Sequence, residues 1–470
     1  MTSHTPKDNV SRIRDVIDIT DNISPTLCLA KWYHTSIYMY SGQTHSCYHP
    51  TPHEISKEEI AQNPSALHNT RIKKKERAEM LVGDRPKGCQ YCWNVENLGD
   101  GHISDRMIKT ASLIKPERLH EIQNNSWDFD VVPEYIEIAF SNECNFKCGY
   151  CHPAVSSSFH QELKRYGAMD MVKNHALDAS CADHTLTEDN NPYVAAWWKW
   201  WETIGDELNI LRITGGEPLL HKSTYRLFDE LRSNPKPNLE INVNSNMGIK
   251  TALVEKLCDN VNDLKSSGKI ARFKLFTSVD TWGSKAEYIR TGLDLDLWEK
   301  NLDTYIRSTK SPVTFMCTFN ILSVTSFVEF LKKILEWREK YQDIILPDDN
   351  TAKIRFDTPY LKEPLQYDMQ ILPKEEFLPH FDYILSFIEE NLDDANPKKF
   401  SNLEYEKFRR VRNYFMTTSY DETKITEGRR DFYRWFTEID RRRNTNFLEV
   451  FPDMENFWNM CKLIDAEYKG

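Results

Sequence analysis

Six short runs rich in isoleucine, valine and phenylalanine lie at 135–140, 208–214, 239–245, 272–279, 312–320 and 352–358. Helix-length stretches such as Ser223–Leu231 and Ser326–Lys340 separate them. Strands that alternate with helices do not pair as hairpins; each returns by a crossover, parallel to its neighbour. The middle of the chain is therefore expected to be an α/β domain on a parallel sheet. Six such units are too few to close an eight-stranded barrel. In parallel α/β architectures ligands bind beyond the C-terminal strand ends, which directs attention to the loops after these runs.

The loop after the first run reads Ser141-Asn-Glu-Cys144-Asn-Phe-Lys-Cys148-Gly-Tyr-Cys151-His152, a Cys-x3-Cys-x2-Cys spacing. Three close thiolates are enough to hold three corners of an iron–sulfur cube and leave one iron without a protein ligand. A zinc site usually closes with a fourth Cys or His at a short spacing, and His152 follows Cys151 too closely for that. The second run ends in Gly215-Gly216-Glu217-Pro218. Paired glycines let backbone approach a ligand, and a carboxylate accepts hydrogen bonds from an ammonium. Residues Gly216–Ser223 come near a phosphate-binding loop, but His221 replaces its second glycine and removes the backbone cradle.

Strand, three-cysteine loop, helical stretch, strand and Gly-Gly-Glu-Pro is an order that resembles the radical S-adenosylmethionine (SAM) superfamily. The resemblance implies a partial (β/α)6 barrel. It also implies a [4Fe-4S] cluster on Cys144, Cys148 and Cys151, whose open iron chelates SAM, with Gly215, Gly216, Glu217 and Pro218 at the methionine end. Tyr150 matches the family's aromatic position near the adenine. Ser278 and Asp280 match its Ser-x-Asp at the end of strand four, and Arg290 its following basic residue. Asn244, at the end of strand three, is a further expected SAM contact. Short polar residues at strand ends also cap helices and close turns, so for these positions both readings stand.

A second cysteine set precedes the barrel region. Trp32–Tyr40 has the aromatic, β-branched character of a strand and Ser41-Gly42 is a turn signal, so a hairpin is expected with Cys28 and Cys47 near its ends. Lys87-Gly-Cys89-Gln-Tyr-Cys92 is a knuckle-type turn able to give two thiolates to one metal. The pattern Cys-x13-Gly-x4-Cys, a gap, then Cys-x2-Cys resembles the SPASM/twitch extensions of radical SAM enzymes, although those normally follow the barrel. It implies an auxiliary [4Fe-4S] cluster on Cys28, Cys47, Cys89 and Cys92; a four-cysteine zinc site is the other chemistry these ligands support. His34, His45, His49 and His53 are expected to decorate the hairpin. The other four cysteines, Cys181, Cys258, Cys317 and Cys461, are scattered.

The basic run Arg71–Arg77 is expected to be a solvated helix face. Trp197, Trp198, Trp200 and Trp201 are expected to pack as a core face rather than form a binding platform. Beyond about 365 the alternation gives way to long aromatic helices, with Arg441–Arg443 at an ion-paired helix end. The expected organisation is a twitch-like hairpin domain over 1–125, the partial barrel over 126–365 and a helical extension over 366–470. Net charge is −11, which argues against nucleic-acid or membrane-surface binding. The opening residues lack a signal-type apolar stretch and no run is long enough to span a bilayer, so a cytoplasmic enzyme is expected.

The resemblance implies reductive SAM cleavage to methionine and a 5′-deoxyadenosyl radical, hydrogen abstraction from substrate, and an external donor such as flavodoxin or ferredoxin. Oxidation of a small metabolite with the auxiliary cluster is the favoured expectation. A peptide-modifying maturase is the alternative, and a zinc-stabilised scaffold the non-enzymatic one. No catalytic residue beyond the cluster ligands is assigned.

Overall fold

The computed structural model describes residues 6–99, 102–172, 179–344, 354–417 and 420–468. Apolar residues alternating with polar ones produce nine strands: β1 (His34–Tyr38), β2 (Gln43–His45), β3 (His53–Glu54), β4 (Tyr135–Ala139), β5 (Ile210–Thr214), β6 (Lys236–Ser245), β7 (Ile270–Ser278), β8 (Val313–Met316) and β9 (Ile354–Asp357). The last six coincide with the six expected runs; residues 352 and 353 of the final run lie outside the described residues. Among the described residues the architecture is mixed α/β with a nine-stranded, mostly parallel sheet.

Two compact units partition the chain. The first comprises Met1–Ser141, Leu186–Gly215 and Pro235–Ile241; the second comprises Asn142–Thr185, Gly216–Asn234 and Asn242–Gly470. Strand order in the first is β3-β2-β1-β4-β5-β6, and in the second β6-β7-β8-β9. From β4 to β9 one face of the strands carries buried apolar residues: Ile136 and Ile138, Leu211 and Ile213, Leu239 and Ile241, Leu275, Val313 and Phe315, Ile354 and Phe356. The opposite positions are Glu137, Arg212, Lys274, Ser278, Thr314, Arg355 and Asp357. A parallel sheet covered by helices on both faces reads as continuous apolar runs. This alternation instead gives each unit one face of polar groups.

The expected hairpin is present, β1 pairing antiparallel with β2 from Ser36↔His45 to Tyr38↔Gln43. Its turn uses Gly42 at φ +64, where a Cβ would run into the Tyr193 ring. The hairpin does not stand alone. The other edge of β1 pairs parallel with β4, from His34↔Tyr135 to Tyr38↔Ala139, and both faces of β1 are largely buried.

The helix Arg71–Leu81 departs from the solvated face expected of it. Lys73, Arg77 and Met80 fall on one side of the helix and are completely buried. Lys73 Nζ donates to Thr35 Oγ1 at 2.7 Å and Thr44 Oγ1 at 2.8 Å, while Arg77 donates to Asn69 Oδ1 and the Lys31 carbonyl. Burial, with Arg77 and Lys31 nearby, pushes Lys73 well below its ordinary pKa. Of the run, Arg71, Ile72 and Lys75 are exposed.

The tryptophan-rich helix Pro192–Trp201 buries all four of its tryptophans. In the second unit the long helix Glu422–Arg443 ends in the arginine triplet, and each arginine is ion-paired: Arg441 and Arg442 with Glu438, Arg443 with Glu162 at 3.0 Å. Among the described residues no helix is long and apolar enough to cross a membrane.

Candidate metal and cofactor centre

The three-cysteine loop leaves the end of β4 and returns into the helix Ser157–Tyr166. Serines tie it back on itself. Ser156 Oγ donates to the Phe146 carbonyl at 2.7 Å and accepts from the Phe159 N–H, capping the helix, and Ser158 Oγ donates to the Cys144 carbonyl at 2.6 Å. The backbone of Ile289 and Thr291 accepts from the N–H groups of Gly149 and Lys147. The result is a loop that brings the three thiols near enough to repel one another. Burial lifts Cys144 to about 12 and also raises Cys148 and Cys151, and the thiols add mutual repulsion, Cys148 on Cys144 and both on Cys151. A site that disfavours several isolated thiolates in this way is one where a bound cationic centre releases protons on loading.

Gly-Gly-Glu-Pro locks this loop from the other side. Gly215 has φ +113. Gly216 presses on the Asn142–Glu143 peptide so closely that a Cβ would collide with the Glu143 carbonyl. That carbonyl accepts from the Glu217 N–H at 2.7 Å and from His221 Nε2 at 3.1 Å. The Glu217 carboxylate is fully buried and accepts from Ser245 Oγ (2.8 Å), the Asn246 N–H (2.6 Å) and the Leu219 N–H (3.1 Å). Burial pushes its pKa up to about 7 against these three donors. Glu217 thus ties the turn to the end of β6, and Pro218 opens the short 3-10 helix that it caps.

Three of the sequence-nominated residues meet around the middle cysteine. Asp280, fully buried, accepts from Tyr150 Oη at 2.8 Å, Arg290 Nη2 at 2.9 Å and the Thr318 N–H at 2.8 Å. Arg290 also directs Nη1 at Cys148 Sγ, 3.8 Å away, and lies 5.5 Å over the Tyr150 ring. Its Nε is buried without a partner among the described residues. Ser278 sits opposite Met316 at the end of β7 and makes no hydrogen bond to the cysteine loop among the described residues; Asn244 is half-buried near the end of β6.

Two residues that sequence reasoning did not nominate complete this centre. Tyr367 brings its hydroxyl against Gly149 and accepts from Trp435 Nε1 at 3.2 Å. Nothing local marks either residue, because the contact depends on helices far along the chain folding back.

The second cysteine set also converges. Cys28, Cys47, Cys89 and Cys92 line one small cavity of about 20 Å³ in the first unit, with Lys31, Ser46, His49, Asp105, Arg106 and Lys109. Burial raises Cys28 to about 12 and Cys92 to about 11, with Cys47 and Cys89 adding to both. Cys47 receives the His49 backbone N–H and Cys92 that of Arg106. The Ser46 hydroxyl is buried without a hydrogen-bond partner among the described residues. Each histidine has a partner of its own: His34 the Ser46 carbonyl, His45 Tyr38, His53 Thr70, and His49 Asp105 and the Tyr91 ring. Among the described residues no three His, Cys, Asp or Glu side chains are gathered closely enough to share one metal ion. That geometry concerns a single ion; a multinuclear cluster takes each thiolate on a different iron.

No protein-family model and no curated protein sequence matches this chain. Among solved structures, a native anSMEcpe structure with bound AdoMet and Kp18Cys peptide is 16% identical, with a TM-score of 0.33 over 55% of this chain and 61% of that one. The chain thus spans about three fifths of the length of that structure. The FeFe-hydrogenase maturase HydG from Carboxydothermus hydrogenoformans is 12% identical, with a TM-score of 0.29 over 98% of this chain and 100% of that one. Scores this low do not establish a common fold, and the functional reading rests on the residues.

Proposed function

We propose that the chain is a radical SAM enzyme with a second, auxiliary iron–sulfur site. The observation that carries this reading is the lock between two motifs: Cys144, Cys148 and Cys151 lie in one loop fastened to Gly215–Pro218 through Gly216 and the Glu143 carbonyl. The donor set fits a [4Fe-4S] cluster with one iron left open. Three thiols converge, the Phe146 N–H points at Cys144 Sγ and Arg290 points at Cys148 Sγ, as hydrogen bonds to cluster sulfurs do. When bound and reduced, such a cluster supplies the electron that splits SAM into methionine and a 5′-deoxyadenosyl radical, which takes a hydrogen atom from substrate.

The chain's own part is to hold and orient. Asp280 fixes Tyr150 and Arg290 beside the middle thiolate, and the buried Arg290 Nε–H is left as a donor for a ligand. Tyr367 and Trp435 keep water from the Gly149 side of the loop. Gly215 leaves backbone open to a ligand, Gly216 seats the cysteine loop, and Asn244 and Ser278 are further SAM contacts in this reading. The four cysteines of the first unit are read as ligands of an auxiliary [4Fe-4S] cluster in a SPASM/twitch-like segment over 1–125. Closed ligation there suits accepting the electron left on a substrate radical, making the net reaction oxidation of a small metabolite. The partial (β/α)6 barrel over 126–365, a helical extension over 366–470 and an external one-electron donor complete the proposal.

Anaerobic reconstitution tests it. The reading requires about eight irons with matching sulfide per chain, and reductant-dependent conversion of SAM to methionine and 5′-deoxyadenosine. Cys148→Ser is expected to abolish that conversion. Zinc without iron, or conversion intact in Cys148→Ser, overturns the proposal.

A further inference from the structure

The cavity of the four cysteines holds a cation that the ligand count does not explain. Lys31, only 2% exposed, forms part of its wall together with Cys28, Cys47 and Cys89. Its ammonium donates to Glu76 Oε2 at 2.7 Å. A buried lysine keeps its proton only if anions surround it. Glu76 is the anion at hand. Glu76 is fitted to this place as well: it lies against Gly88, next to Cys89, where any side chain would meet its carboxylate at 2.7 Å. The first unit has therefore built an ion pair at the cavity wall, with Lys31 hydrogen-bonded to Cys89 and Glu76 acting on the same thiol.

Iron–sulfur potentials depend on net charge, burial and hydrogen bonds to the sulfurs. A fixed positive charge on the wall stabilises the state that carries one more electron, and burial keeps solvent from screening it. Resting on the reading that these four cysteines hold a [4Fe-4S] cluster, we infer that Lys31 sets that cluster's reduction potential and biases it toward accepting an electron. Glu76 positions the ammonium and moderates its effect. Both are positioning residues; neither ligates the metal.

The test uses the full chain carrying Cys144→Ser, Cys148→Ser and Cys151→Ser, so that only the second cluster is observed. Anaerobic redox titration followed by electron paramagnetic resonance reads its midpoint. Lys31→Met is expected to weaken electron affinity about tenfold, a negative shift of about 59 mV, at unchanged iron content. Glu76→Gln is expected to move the midpoint the other way, and Lys31→Arg to stay near the parent. A pair that served folding alone would leave all three unmoved. If Lys31→Met fails to load iron, Glu76→Gln decides: a positive shift supports the inference, and no shift or a negative one overturns it. Full iron with an unmoved midpoint in Lys31→Met overturns this inference alone. A parent that takes up no iron overturns the cluster reading and this inference together.

Discussion

Gly216→Ala is the sharpest probe of the lock between the two motifs. An added methyl would stand 2.6 Å from the Glu143 carbonyl carbon and 2.7 Å from that of Asn142, against the ~3.5–4.0 Å at which carbon atoms pack. The obstacle is backbone, so no side chain can swing aside and the cysteine loop must retreat by about 1 Å. Such overpacking typically costs ~1–3 kcal/mol. The retreat also breaks the bond from the Glu217 N–H to the Glu143 carbonyl, about 1 kcal/mol more, for a total of roughly 2–4 kcal/mol. Urea unfolding of the metal-free chain measures this directly, and iron content after reconstitution reports whether the loop still gathers its thiols. Gly205→Ala is the control, because a methyl there meets only the Glu207 carboxyl end. If Gly216→Ala matches the parent in both stability and iron uptake, the motifs are not locked as described.

Two further outcomes follow from the buried charges. Asp280→Ala strands the Arg290 guanidinium and should lower stability by about 3–5 kcal/mol; adding Arg290→Met should restore most of it, and a double variant no better than the single would refute the pairing. Burial holds the Glu217 carboxyl near 7 rather than its ordinary 4.5. The folded chain therefore binds the extra proton across that window and loses stability as pH rises through it, by an order of ~3 kcal/mol. Subtracting the Glu217→Gln profile in urea midpoints isolates this slope, and a parent curve that rises relative to the variant between those values would refute it.

The strands β4 to β9 were legible because each is a short run rich in isoleucine, valine and phenylalanine set between helix-length stretches. The two cysteine sets were legible because thiol spacing and the glycine turns are local. What escaped the sequence depends on partners far apart. That β1 would pair with β4 on the edge opposite its hairpin has no signature in Trp32–Tyr40. Tyr367 and Trp435 look like any core aromatics until their helices fold back onto Gly149. Lys73 and Arg77 are a different case: their four-residue spacing together with Met80 placed them on one helix side, but a run of like charges masked the phase.

Trp435 meets Tyr367 behind Gly149, which gives the cysteine loop a history as well as a shape. On the ribosome the three thiols emerge long before the aromatic wall that backs them. They spend that interval as an unfinished nest, open to solvent and to stray metals. A stalled or clipped translation product would carry all three cysteines and still lack the aromatic wall, so the proposed cluster would find no proper seat there.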